Sequence, residues 1–327
     1  MDNWGDIVVV ENGECRAYDW HWAGQRILDI LIGGPDLARR HIATFRQAGE
    51  REPQPVEPGH SGALLDFDRG RLLFFGDELM GDVQQRRALL CVLGDLWPGF
   101  QVGWAHGGTH QLADYVGLTC PVRPWDSRPP IVAQPDRDAP CHLVSVTDAG
   151  GATHVWTLSP SYRLAKYGPA VLGALPGRGR TTVTLKAAPA SGMHIDPARR
   201  FLGVWQDIDT SGVLGRLTEI WPGWSVEFWA DRFEEHLARC GRALRVPAVD
   251  LRAGMGDVRE SLRHRIYRRG DDGPMSEALA LAETLGRIAP GLAVPADAVI
   301  AGLVRPTREE WDRFEAACRT LDVTRAA

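Results

Sequence analysis

The apolar run Ile7 to Val10 reads as a strand, Asn12-Gly13 as a turn, and Arg16 to Trp20 as the return strand, which predicts a hairpin at the start of the chain. A helix is predicted after Gly34-Pro35, because proline suits the first helical turn, with Leu37, His41 and Phe45 on one stripe to about Gln47. The segment Gly49 to His60 is rich in Pro and Glu and reads as a loop. Ala63 to Phe67 and Arg71 to Phe75 form a second hairpin over Asp68-Arg69-Gly70. Val83 to Leu96 follows as a helix with Leu89, Leu90, Leu93 and Leu96 on its apolar side, stopped by Trp97-Pro98-Gly99. Phe100, Val102 and Trp104 alternate as a strand, and Thr109 to Val116 reads as a short helix.

The same order returns further along. Strands are predicted near Leu143 to Val146 and His154 to Leu158, then a helix after Gly168-Pro169, and strands near Thr182 to Leu185, Met193 to Asp196 and Phe201 to Trp205. Helix, strand and helix then run to Arg242. Collinear matches tie the two halves together. Trp97-Pro98-Gly99-Phe100-Gln101-Val102 recurs as Trp221-Pro222-Gly223-Trp224-Ser225-Val226, and Ser61-Gly62-Ala63-Leu64-Leu65-Asp66 parallels Ser191-Gly192-Met193-His194-Ile195-Asp196. The fold class is therefore α+β: a tandem duplication of a β-β-α-β-β-α-β-α unit, followed by an all-helical C-terminal extension. The units run over 4–120 and 141–244, joined by a Pro-rich linker over 121–140, with the helical extension over 246–327. In that extension helices are predicted over Met255 to Arg269, Pro274 to Ile288, Pro295 to Leu303 and Thr307 to Leu321, the last opened by Thr307 and Glu310 at capping-box spacing.

Composition narrows the partners. Among 327 residues, 37 Lys plus Arg stand against 42 Asp plus Glu, a net charge of -5, so there is no global excess of positive charge to hold a nucleic acid. Asp2, Asp6 and Glu11 lie where a signal peptide would carry positive charge, and no apolar run approaches a membrane span, so the expectation is a cytoplasmic protein without a membrane partner. The 6 cysteines are scattered without a C-x-x-C pair and read as free thiols. No G-x-G-x-x-G, Walker or G-x-S-x-G motif is present, and neither a cofactor nor a metal is expected.

Candidate chemistry is sparse. His106, His110 and Asp114 fall at helical spacing, which would align them for metal ligation or acid/base work, with His21 from the first hairpin as a further candidate. Gly107-Gly108 weakens that pattern, because a turn there would make Thr109 the helix cap and leave His106 off the stripe. Trp97 and Trp221, at matched positions, read as core. Trp20, Trp22, Trp104, Trp224 and Trp229 are candidates for a binding groove between the repeats. The Asp66 to Arg69 and Asp196 to Arg199 segments read as turn chemistry, and the Arg259 to Arg269 run as a solvated basic helix face, with an acidic partner as the alternative. The functional expectation is a binding or regulatory protein that recognises a macromolecular partner, most naturally a protein, as a toxin-neutralising immunity-type protein does. The alternative is a small-molecule enzyme using histidine acid/base or metal-assisted chemistry, with a ligand held between the repeats.

Overall fold

The first hairpin forms as predicted: β1 (Gly5–Glu11) pairs antiparallel with β2 (Glu14–Trp20), and Asp68 Oδ1 and Oδ2 accept from the turn amides of Asn12 and Gly13 at 2.7 and 2.8 Å. The computed structural model describes residues 5–20, 23–48, 60–122, 131, 133, 139–159, 163–209, 211–267 and 304–324. Helices α1 (Ala23–Leu31) and α2 (Pro35–Ile42) follow, then β3 (Arg46–Gln47), β4 (Ser61–Asp66), β5 (Arg71–Phe75), α3 (Val83–Leu96) and β6 (Gln101–Trp104). These strands make a 6-stranded sheet in the order β3-β2-β1-β4-β5-β6.

After α4 (Gly108–Tyr115) a second sheet begins. Its elements are β7 (His142–Thr147), β8 (Thr153–Leu158), α5 (Val171–Ala174), β9 (Val183–Thr184), β10 (Ser191–Asp196), β11 (Phe201–Gln206), α6 (Leu217–Ile220), β12 (Ser225–Phe228), α7 (Phe233–Cys240) and β13 (Leu244–Arg245). The 5-stranded order is β12-β11-β10-β7-β8, and β13 pairs separately with β9. The chain is thus mixed α+β. The described chain divides into two compact units, one holding residues up to Ala105 together with those from Asp250 onward, the other His106 to Val249. α4, expected to close the first unit, belongs to the second, and α8 (Leu251–Tyr267) and α9 (Arg308–Thr324) belong to the first, where both pack on α3. The two helices expected at Pro274 to Ile288 and Pro295 to Leu303, and most of the 121–140 linker, lie outside the described residues.

Without β3, the first sheet reads β2-β1-β4-β5-β6, which matches β8-β7-β10-β11-β12 strand for strand. The senses match too. β1 runs parallel to β4 as β7 does to β10, each hairpin is antiparallel, and β5 and β6 are parallel as are β11 and β12. Equivalent turns carry equivalent bonds: Arg69 N donates to Asp66 Oδ1 at 2.8 Å, and Arg199 N to Asp196 Oδ1 at 3.0 Å. The acidic turn residues therefore do turn chemistry.

Local sequence explains where the units differ. α1 escapes a periodicity reading because Ile27, Leu28, Ile30 and Leu31 are almost continuously apolar, and all four are fully buried. α2 stops at Ile42, short of Gln47, and Arg46 and Gln47 turn back to pair with β2. In the second unit α5 and α6 are each 4 residues, against 14 for α3. Gly34 and Gly168, at φ +79 and +65, hold the entry to the Gly-Pro helices, and a Cβ there would meet the carbonyl oxygens of Leu96 and Ile220 at 2.6 and 2.8 Å. Gly168→Ala is accordingly expected to destabilise the second unit by about 1–3 kcal/mol. Gly173→Ala, where a Cβ meets nothing within 4 Å, should be neutral or stabilising. Urea midpoints of the two variants test this, and a Gly168→Ala midpoint at or above the native one would refute the steric account.

Candidate functional site

The histidines predicted to form a site face different ways. His106 follows β6, and its Nδ1 lies 2.9 and 3.0 Å from the carbonyl oxygens of Gln206 and Asp207, so Nδ1 carries the proton and donates. His110, in the first turn of α4, donates from Nε2 to the Pro121 carbonyl at 3.0 Å, and Asp114 one turn later is exposed. α4 begins at Gly108 with Gly107 as its cap, one step before the Thr109 cap expected from sequence. Each imidazole is bonded to backbone, and the three side chains do not share a centre. Among the described residues, the group of three histidines, cysteines or carboxylates whose ligand atoms lie within 4.8 Å of one another is His194, His236 and Cys240. His21 and Trp22 lie outside the described residues.

The tryptophans serve packing within each unit. Trp20 is 3% exposed and stacks on Phe45 at 5.2 Å; Trp104 is 8% exposed, edge-on to Phe74 at 5.5 Å. Trp229, 3% exposed, lies over Phe201 and the Gly203 backbone and donates to Glu227 at 2.8 Å. Trp224 is half-buried and edge-on to the core ring of Trp221 at 4.9 Å. Three of these four rings leave almost no face for a ligand.

A different polar cluster emerges in the second sheet. The parallel register sets His142 opposite Ser191 and His194 opposite Ser145, so two histidine–serine couples form on neighbouring strands, three residues apart and hence on opposite faces. His142 Nδ1 and Ser191 Oγ are 2.8 Å apart, as are Ser145 Oγ and His194 Nδ1. α7 adds His236, whose Nε2 is 2.7 Å from Ser145 Oγ and whose Nδ1 accepts from Trp205 Nε1 at 3.1 Å. Cys240 lies one helical turn after His236. The sequence signal was the mirrored pair His142-x-x-Ser145 and Ser191-x-x-His194, legible only once the register is known.

Donor chemistry orders this network. Indole N–H can only donate, so His236 Nδ1 holds a lone pair, its Nε2 carries the proton, and that proton goes to Ser145 Oγ. Ser145 Oγ also bonds His194 Nδ1 and the Cys240 sulfur, and its one proton serves one of these two. Burial, the largest cause in each case, depresses His194 to about 4, His142 to about 3, and His236 well below its usual value, with Arg239, Arg163 and the neighbouring histidines respectively adding to it. The Cys240 thiol is pushed up to about 11 by burial. Neutral imidazoles and a protonated thiol are the result. A divalent metal would need Nε2 of His236 as a lone pair and Nδ1 as N–H, but Nδ1 faces the Trp205 donor. The triad therefore does not fit a metal. Ser145 is fully buried, which also removes it as a nucleophile for an external substrate.

The first unit carries an open groove of about 380 Å³ lined by Val9, Glu11, Glu14, Arg16, Tyr18, Arg39, Ile42, Ala43, Phe45, Gln47 and Phe67. β1 and β2 supply its floor, since Val9 pairs with Arg16 and Glu11 with Glu14 and cross-strand partners share a face. α2 supplies Arg39, which bonds Glu11 at 2.7 Å and lies 3.8 Å over the Phe67 ring. Arg16 is paired with Glu14. Both guanidinium groups are half exposed and already held in place by a carboxylate, so they are oriented before anything binds. No described helix is long and apolar enough to cross a membrane. Compared with known proteins, the chain matches no family model, no curated protein and no solved structure.

Proposed function

We propose that the two units are copies of one ancestral module, and that the pair works as a binding protein that recognises a macromolecular partner, in the manner of an immunity-type protein that neutralises a toxin. The duplication rests on the shared strand order and on the matched Gly-Pro and Trp-Pro-Gly segments. The binding reading rests on one observation, the first-unit groove in which Arg16, Tyr18, Arg39 and Phe67 stand together and partly exposed. Arginine and aromatic side chains of this kind dominate the energy of protein interfaces, and the groove's carboxylates, Glu11 and Glu14, are each paired with an arginine. The occupant we favour is a protein surface with both signs of charge, able to exchange partners with the Arg39–Glu11 and Arg16–Glu14 pairs. The histidine enzyme reading gains no support from His106 and His110, because each is engaged by a backbone carbonyl.

Co-purification from the host lysate tests the proposal. The native chain and Arg178→Glu, an exposed change outside the groove lining, should capture the same stoichiometric partner, whereas Arg39→Glu should weaken capture by at least roughly 10-fold. A partner held equally by Arg39→Glu, or turnover of a small molecule with no partner at all, would overturn it.

A further inference from the structure

The arginine run of α8 contains one member that turns inward. Arg265 has a side chain only 10% exposed, and its Nε lies 2.7 Å from Asp29 Oδ1 while Nη2 and Nη1 donate to Asp77 Oδ2 and Oδ1 at 3.0 and 3.3 Å. One planar fork spans two carboxylates. Both acids are buried, at 3% and 6% exposure, and Asp77 is held at φ +72, a conformation that residues other than glycine rarely adopt. Arg26 completes the set with a 2.6 Å bond to Asp29 Oδ2. The void beside these groups is about 20 Å³, room for a water and nothing larger.

The second unit shows what is unusual here. Counted from the matched Gly-Pro pairs, Asp29 corresponds to Arg163, and counted from the matched hairpins, Asp77 corresponds to Asp207. There Arg163 bonds Asp207 directly at 2.6 Å and reaches Ser191 at 3.3 Å. In the first unit the arginine position holds an aspartate, so two carboxylates meet, and the matched Ser61 Oγ has no hydrogen-bond partner among the described residues. We propose that Asp29 and Asp77 form a guanidinium-binding site of the first unit, occupied by Arg265 of the chain's own α8, and that this recognition assigns α8 and α9 to the first unit. Arg40, with a bidentate grip on Glu310 at 2.9 and 2.7 Å, secures α9 to the same unit.

Hydrogen exchange with chemical rescue tests the site. In the full chain, Arg265→Ala is expected to speed exchange of the α8 amides roughly 100-fold, the size expected when one partner leaves a buried ion cluster. Millimolar guanidinium chloride, far below denaturing concentrations, should restore most of that protection, and equal sodium chloride should not. Should Arg265→Ala not fold, Arg265→Lys keeps the charge but cannot span both acids, and its α8 exchange should be about 10-fold faster than native. Native-like α8 exchange in the folded variant, or acceleration that sodium chloride reverses as well as guanidinium, would overturn the proposal.

Discussion

Lowering the pH from 6.5 to about 4.5 is expected to unfold the second unit well before the first. His142, His194 and His236 are buried neutral there, with His142 at about 3, His194 at about 4 and His236 well depressed, against an ordinary value of 6.5. Each folded-state value lies below the unfolded one, so the unfolded chain takes up protons first as the pH falls. Stability contributed by these groups is complete above about 6.5 and is lost progressively below it. For His194 alone, a drop from 6.5 to about 4 corresponds to roughly 3 kcal/mol, and its neighbours act in the same direction. Against a typical domain stability of about 5–15 kcal/mol, that loss is large. Among the described residues of the first unit one such group is found, His41, depressed to about 4 chiefly by burial, with neither ring nitrogen hydrogen-bonded. Hydrogen exchange of β7 and β10 against β1 and β4, followed from pH 7 to 4.5 after correction for intrinsic rates, separates the units. Equal pH dependence in the two sheets, or none, would show that the histidine network is not what links pH to stability.

Trp97→Ala and Trp221→Ala are each expected to bring their own unit close to unfolding. Both rings are fully buried, and their Nε1 atoms donate to matched carbonyls, Leu31 at 2.8 Å and Ala165 at 2.7 Å. Each ring also meets an aromatic edge-on, Phe100 at 5.1 Å for Trp97 and Trp224 at 4.9 Å for Trp221. Truncation to alanine removes the packing, about 3–5 kcal/mol, and strands a buried carbonyl at about 1–3 kcal/mol more. Phenylalanine at either position keeps most of the ring and loses only the donor, so its cost should lie near the second figure. Chemical denaturation of the four variants decides the matter. An alanine variant that loses under about 1 kcal/mol would contradict the assignment of these tryptophans as the pins between helix, strand and Gly-Pro turn.

Much of this architecture was legible along the chain. The predicted helix Val83 to Leu96 has the bounds observed, because Asp82 caps it through the amides of Gln84 and Gln85 and Trp97-Pro98-Gly99 ends it. The capping box at Thr307 forms as read, with Thr307 N on Glu310 Oε2 at 2.7 Å and Glu310 N on Thr307 Oγ1 at 3.2 Å. The candidate site was far less legible. His106 and His110 fall at helical spacing, yet that spacing says nothing about which carbonyls the rings meet, and His106's partners, Gln206 and Asp207, come from a strand end about a hundred positions away. A run of like charge usually faces water, and no local pattern marks Arg265 as the residue that reaches two buried acids.

What the sequence determined by itself is whatever depends on a few neighbouring positions: which apolar segments are strands, and where proline and glycine start or stop a helix. Solvent and core act on each residue's immediate surroundings, so alternation and capping record them directly. What only the tertiary structure decided is convergence. The histidine–serine couples exist because β7 and β10 lie parallel in one particular register, and a slip of one residue would send every side chain to the other face. The Asp29–Arg265–Asp77 cluster exists because α8 packs on α3, closing a separation of 188 residues between Arg265 and Asp77. Buried polar groups must find partners wherever the packed chain supplies them, and that need is met in space, where sequence distance carries no information.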